Sequence, residues 1–338
     1  SAWRTNIALD LRTKKGYEFT AEYNRDQVNE AVFYRDLGIT KTGTLADGRG
    51  TYTGAGDFWL SNTDKGGAEA ITFIMRKDWN DVKFMTGYTN MDSSDVYGLT
   101  SAQAESSYGY MNRWDGENMS AARSNFMVEH KFLATLDYTT QLIGENDTRF
   151  SLVFIRKSGE PYSVSFDEPG YNSVTGNSRF YADYSLAYVP TGASDPNVSF
   201  TSAAVAEAVM AHVNATGLSS YKGTFAPRNA FNSPWYSRLD LRITQDIRVY
   251  KDSKVIVYLD LLNLLNMIDD DKGIVKEYSY NNSRQIIVNG VTSTGQFIIS
   301  GVDPDDNLWI QNRDGQSAWN VNLGFKYDSS VSPNSFYN

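Results

Sequence analysis

Cysteine is absent from the 338 residues, which excludes a disulfide framework, thiolate metal sites and thiol catalysis. Histidine is scarce, at His130 and His212, and no metal-binding His pair, phosphate loop or nucleophile elbow occurs, so the chain is not read as an enzyme and no cofactor is expected. Basic residues are too few for a nucleic-acid partner: 31 Lys and Arg stand against 40 Asp and Glu, a net charge of -9, whereas the phosphate backbone is held by clustered cations. No apolar run approaches the ~18 residues that a membrane helix needs, so helical spanning is excluded. A membrane β-barrel is not excluded, because its strands alternate and its loops are polar. No proline-rich, Gly/Ser-rich or charged linker divides the chain, which reads as one continuous architecture. It opens on strand-like sequence, so any export signal is expected to have been removed or to lie upstream.

What is present is aromatic residues, 14% of the chain with 22 Tyr and 17 Phe, and strict alternation. In Trp319–Tyr327 the residues Trp319, Val321, Leu323, Phe325 and Tyr327 fall on one face of a strand and Asn320, Asn322, Gly324 and Lys326 on the other. The first strand, Trp3–Arg12, repeats this with Trp3, Ile7, Leu9 and Leu11 against Arg4, Asn6, Asp10 and Arg12. A charged row of that kind cannot face a dry core without partners. After Lys14-Lys15-Gly16 the chain returns through Tyr17, Phe19, Ala21 and Tyr23, opposed by Glu18, Thr20, Glu22 and Asn24, which makes a hairpin.

The unit recurs. Ala68–Lys77 turns through 78–81 into Val82–Met91, Phe126–Gln141 turns through 144–147 into Thr148–Lys157, and Trp235–Arg248 turns through 250–253 into Lys254–Leu265. Between hairpins lie long polar connections at about 36–67, 92–123, 159–234 and 266–317. Short turns on one side, long loops on the other and about ten alternating residues per strand are the pattern of an outer-membrane barrel. Aromatics near strand ends, among them Trp3, Tyr17, Tyr88, Tyr138, Trp235, Trp319 and Tyr327, are candidates for interfacial girdles. Leu239, Leu241, Ile243, Val321, Leu323 and Phe325 are expected to face lipid. Within the loops, Ser202–Val213 carries valines four apart and predicts a short amphipathic helix with His212 at its surface. Residues 274–302 predict a small hairpin turning at Asn289-Gly290.

The run 226–242, from Ala226-Pro227-Arg228-Asn229 to Arg238-Leu239-Asp240-Leu241-Arg242, followed by Val257–Asn266, resembles the end of TonB-dependent outer-membrane receptors, and within them the Oar-like branch. Asn29–Arg35 with Ala46-Asp47-Gly48-Arg49, Ser61–Gly66 and Glu129-His130-Lys131-Phe132 add to the likeness. The resemblance implies an all-β transmembrane antiparallel barrel of about 22 strands with long extracellular loops. Residues 1–329 would supply its last nine strands and 330–338 a C-terminal tail; no plug and no TonB box are visible. It also implies an outer-membrane location with the lipid bilayer, the TonB complex (through a plug outside this chain) and the barrel-assembly machinery as partners, and it admits a surface lipoprotein. One departure stands out: Ser329 occupies the place where the family carries an aromatic residue.

The expected function is energy-coupled import of a bulky solute such as a siderophore, peptide or glycan. The alternatives are a passive porin and a secreted β-rich adhesin or glycan-binding module. Asp10, Arg12, Glu22, Asp137, Arg238, Asp240 and Arg242 are expected on the inner, plug-facing wall, where mutually satisfied charges suit a wet lumen better than acid–base chemistry does. Tyr162, Tyr171, Tyr181, Tyr184 and Tyr188 in the longest loop are expected at the ligand gate. Asp269-Asp270-Asp271 and Asp303-Pro304-Asp305-Asp306-Asn307 offer hard oxygen ligands but lack the spacing of a calcium loop. His130 is expected to be structural.

Overall fold

The computed structural model describes the chain except residues 55, 97–100, 117–119, 169–174, 176–183, 251–252, 304–307, 311–315 and 329–338. Its frame is a single antiparallel sheet. The strands are β1 (Ala2–Arg12), β2 (Tyr17–Val28), β3 (Gly67–Asp78), β4 (Val82–Asp95), β5 (His130–Ile143), β6 (Asn146–Lys157), β7 (Tyr236–Tyr250), β8 (Ser253–Leu262) and β9 (Asn320–Asp328). Each pairs with its sequence neighbour, and a two-residue strand at Ala122–Arg123 pairs with β4 off this path. Among the described residues β1 pairs only with β2 and β9 only with β8, so both edges are open.

Glycine enforces the geometry where other residues could not. Gly16 turns β1 into β2 at a φ of +74°. Gly66, at +113°, lets the chain enter β3 beside β4, where a Cβ would stand 2.8 Å from the Ser94 carbonyl oxygen, a distance that real side chains do not occupy.

Register carries alternation across the whole sheet. Leu9, Ala21, Phe73, Tyr88 and Phe132 form one row of direct neighbours, and Leu136, Leu152, Leu241, Leu261 and Val321 form another on the same face. Nothing among the described residues covers this face: Leu9 is 70% exposed, Leu323 76% and Phe325 77%. The opposite face carries the sheet's charged and amide side chains, with Ile74, Leu133, Val153 and Ile155 among them.

Because the strands alternate in direction, all four long connections leave the sheet at one end and the tight turns lie at the other. The connections fold together into a crown. Its centre is a mixed five-stranded sheet in the order Val198–Phe200, Phe297–Val302, Asn282–Val291, Pro161–Asp167 and Phe231–Asn232. The helix α1 (Ala203–Ala215) is capped by the Ser202 hydroxyl, which accepts the Val205 N–H at 3.2 Å, and it buries Ala206, Val209 and Val213. Phe166, Val189, Val209, Val213, Ile286, Val288, Phe297 and Ile299 make the dry core. Each such side chain stabilises the crown by about 1.5–3 kcal/mol on burial.

Three sequence expectations need correction. Residues 282–291 and 297–302 do pair antiparallel, but the turn is Thr292–Gln296, where the Gly295 N–H donates to Thr292 O at 3.0 Å. Asn289-Gly290 sits at an irregularity in the register instead. The strand expected to run to Leu265 ends at Leu262, because Asn263 turns left-handed (φ 55°) and a short helix, Leu264–Ile268, follows. His212 is half-buried, not superficial, and lies 3.0 Å from the Gln285 side-chain oxygen.

Candidate functional site

The polar sheet face gathers all seven expected wall residues. Asp10 lies opposite Thr20, whose hydroxyl donates to it at 2.6 Å, and Arg12 pairs with Glu18 at 2.9 Å. Glu22 stands opposite Ala8 and Thr72. Asp137 accepts a short hydrogen bond from Ser151 and faces Lys83. Arg242 clamps Asp260 with both ends of its guanidinium, Nε at 2.5 Å and Nη2 at 2.7 Å. Arg238 Nε reaches both oxygens of Asp240, at 2.8 and 3.0 Å. Every charge in this set but Glu22 is bonded to a side chain of the same face. The period of two brings the seven together; nothing more elaborate is involved.

Asp240 also ties the wall to the crown by accepting the Asn263 N–H at 2.8 Å. Asn263 then donates its side-chain amide to the carbonyls of Gly273 (2.8 Å), Gln316 and Ser317 (3.2 Å each). A second clamp uses the run that the sequence had marked by resemblance alone. Arg228 bonds to Asp95 Oδ1 at 2.8 Å and also to the Asp95 carbonyl, while the left-handed, fully buried Asn229 exchanges hydrogen bonds with Ser163 and donates to Arg123 O and Asn125 Oδ1 at 2.7 Å. These residues lock one long connection onto another.

Of the five gate tyrosines, Tyr171 and Tyr181 lie outside the described residues, as do 304–307 of the second acidic cluster and the tail. The other three pack inward. Tyr184 meets Tyr110 edge-on at 5.5 Å and belongs to a small cluster with Tyr108. Tyr188 is in the main core, and its hydroxyl lies 3.1 Å from Asp195 and accepts from Asn197 at 2.8 Å. Tyr162 stacks obliquely on Tyr278 at 4.1 Å and on Phe231 at 5.7 Å. Burial, then the neighbouring Tyr278, pushes the Tyr162 hydroxyl well above its ordinary pKa. None of the three is a free ring awaiting a sugar.

Asp269 pairs with Lys272 at 2.9 Å and accepts the Asp271 N–H; these contacts, the lysine hydrogen bond first, lower its pKa. Among the described residues no three His, Asp or Glu side chains converge as metal ligands. His130 sits on the apolar face at the crown end, 2.8 Å from the Tyr88 hydroxyl through Nδ1 and parallel to Trp235 at 5.8 Å. Two ring contacts were not predicted from the sequence. Arg49 is fully buried, bonded to Asp47 at 2.7 Å, with its guanidinium over Phe166 and Phe297 at 5.5 and 5.0 Å. Arg156 lies over the Trp235 ring at 5.4 Å on the apolar face. Both depend on contacts between segments far apart in the chain.

No protein-family model and no curated protein matches the chain.

Proposed function

We propose that this chain is barrel wall and outer crown of a TonB-dependent outer-membrane receptor, a transporter that imports a bulky solute such as a siderophore, peptide or glycan with energy delivered from the inner membrane. The observation that carries the reading is the sheet's bare apolar face, continuous from β1 to β9. A soluble monomer rarely leaves more than a few hundred Å² of contiguous apolar surface uncovered. Hydrocarbon is the covering that suits it.

The dimensions agree with that covering. On β9 and the residue before it, Trp319 and Tyr327 stand eight residues apart, which is ~26 Å along a strand and ~20 Å of depth at a tilt of ~40°. Trp3, Phe132, Trp235 and Trp319 lie toward the crown end; Tyr17, Trp79, Tyr138 and Tyr327 lie toward the turns. Two aromatic rows flanking an apolar band of ~25 Å are what a lipid-facing barrel carries. Open sheet edges are not stable in hydrocarbon, so in this reading β1 and β9 pair with further strands of a larger barrel.

On this assignment the polar face is the static wall that holds a plug, the crown is the extracellular gate, and no residue is catalytic. The resemblance of 226–242 and 257–266 to the Oar-like branch supports the energy-coupled reading over a passive pore. The test is uptake by cells making the full-length receptor, with and without a working TonB complex. Uptake should vanish without the complex; undiminished flux would make the protein a porin. Absence from the outer-membrane fraction would leave the adhesin reading.

A further inference from the structure

The apolar face is not smooth. A groove of about 480 Å³ crosses β1 to β5 on it. Its floor is low because Ala21 and Thr86 are small and Gly87 exposes backbone, while Leu9, Leu11, Phe73 and Phe132 rise around them. It runs toward the crown end and stops at Tyr88 and Phe132, whose rings tilt against each other at 4.6 Å.

A polar cap continues from that point. Phe132 is the direct register partner of Arg156, so their Cβ atoms stand about 5 Å apart. Arg156 is exposed, lies over Trp235, and has no carboxylate partner among the described residues. His130 stacks on the same Trp235 ring and lies 3.2 Å from the Asn90 amide, and Glu129, 3.6 Å from His130, is bonded to Arg123 and Asn232 at 2.9 and 3.0 Å. An apolar trough ending at an unpaired guanidinium matches an acyl chain ending at a phosphate, since a guanidinium binds phosphate oxygens by charge-assisted hydrogen bonds.

We infer that this groove and Arg156 form a site for a phosphorylated glycolipid of the outer leaflet, one acyl chain lying in the groove and a headgroup phosphate on Arg156. The inference rests on the membrane reading above, which turns the crown end outward; that orientation selects the outer-leaflet lipid over an inner-leaflet phospholipid. The site would hold this lipid through dilution that strips the rest of the annulus.

The test is native mass spectrometry of the full-length receptor released from detergent micelles. The probes are lipid A, its fully dephosphorylated counterpart and phosphatidylethanolamine. The wild type should retain lipid A about tenfold more than its dephosphorylated counterpart, the ratio expected for one charge-assisted contact, and also more than phosphatidylethanolamine, whose single phosphate sits beside its own ammonium. Arg156→Gln should erase the preference, and Ala21→Phe, which fills the groove from its half-buried floor, should lower retention of the phosphorylated and dephosphorylated lipids together. Equal retention of the three lipids by the wild type, or a preference that survives Arg156→Gln, overturns the inference. Heat-modifiable gel migration of the same samples separates the two readings. A protein that migrates as a folded barrel but shows no preference loses only the lipid site; one that lacks the heat shift loses the membrane reading as well.

Discussion

Asn263 shows how much one side chain can hold at the junction of wall and crown. It occupies the left-handed region at a φ of 55°, which Asn tolerates better than most residues, and it joins Asp240 to three loop carbonyls. Asn263→Ala keeps the backbone N–H but strands three carbonyls and strains the turn, and should cost about 2–3 kcal/mol in denaturant unfolding. In the crown, Asp195 plays a comparable part. Burial alone would raise its pKa, but the N–H groups of Thr191 and Asn197 and the hydroxyls of Thr191 and Tyr188 outweigh burial and hold it below the ordinary value. A depressed folded pKa adds stability that is fully present above the unfolded value of ~3.9 and lost as pH falls through the folded one. The crown's denaturation midpoint should therefore drop below about pH 4. Asp195→Asn, less stable at neutral pH, should flatten that acid slope; an unchanged slope would assign the acid sensitivity to other carboxylates.

At the scale of the strand, the two faces should answer the same substitution differently. Leu241 lies between Leu152 and Leu261 on the apolar face, whereas Asn322 lies opposite Asp260 on the polar one. Leu241→Arg should cost about 2–4 kcal/mol if that face meets hydrocarbon, and Asn322→Arg far less, as measured by urea unfolding in liposomes. Equal costs would remove lipid from the apolar face. These strands were legible in the sequence because alternation is a local signal and register repeats it from strand to strand. The α1 helix was legible for the same reason, with valines four apart and Ser202 at its start; Ser202→Ala should cost about 1 kcal/mol of crown stability. Of the crown's own sheet only the hairpin within 274–302 was legible. Residues 163–167 pair in parallel with 282–287, and 198–200 with 297–299, and no local pattern announces partners a hundred residues away. The gate tyrosines show the same limit: composition places aromatics in the loop, but only packing decides that Tyr184 and Tyr188 point into cores.

At the scale of the molecule, the two parts treat their apolar surface differently. The sheet's apolar face is bare, while the crown carries its own dry core, drawn from connections that the sheet holds side by side. Leu45 comes from the first long connection, Val164, Val209 and Leu218 from the third, and Ile286 and Phe297 from the fourth. A core assembled in this way is cooperative, since each connection covers apolar surface belonging to the others. Replacing residues 160–233 by a short Gly/Ser linker should therefore do more than remove one loop. It withdraws α1, the strand at Pro161–Asp167 and the Arg228–Asn229 clamp together, so 31–63 and 264–318 should lose their protease resistance too. The nine long strands, paired mainly with one another, should survive, and in the full-length receptor the heat-modifiable shift should persist while solute uptake is lost. If the remaining connections kept their protection, the crown would be a set of independent loops and its role as a single gate would fall.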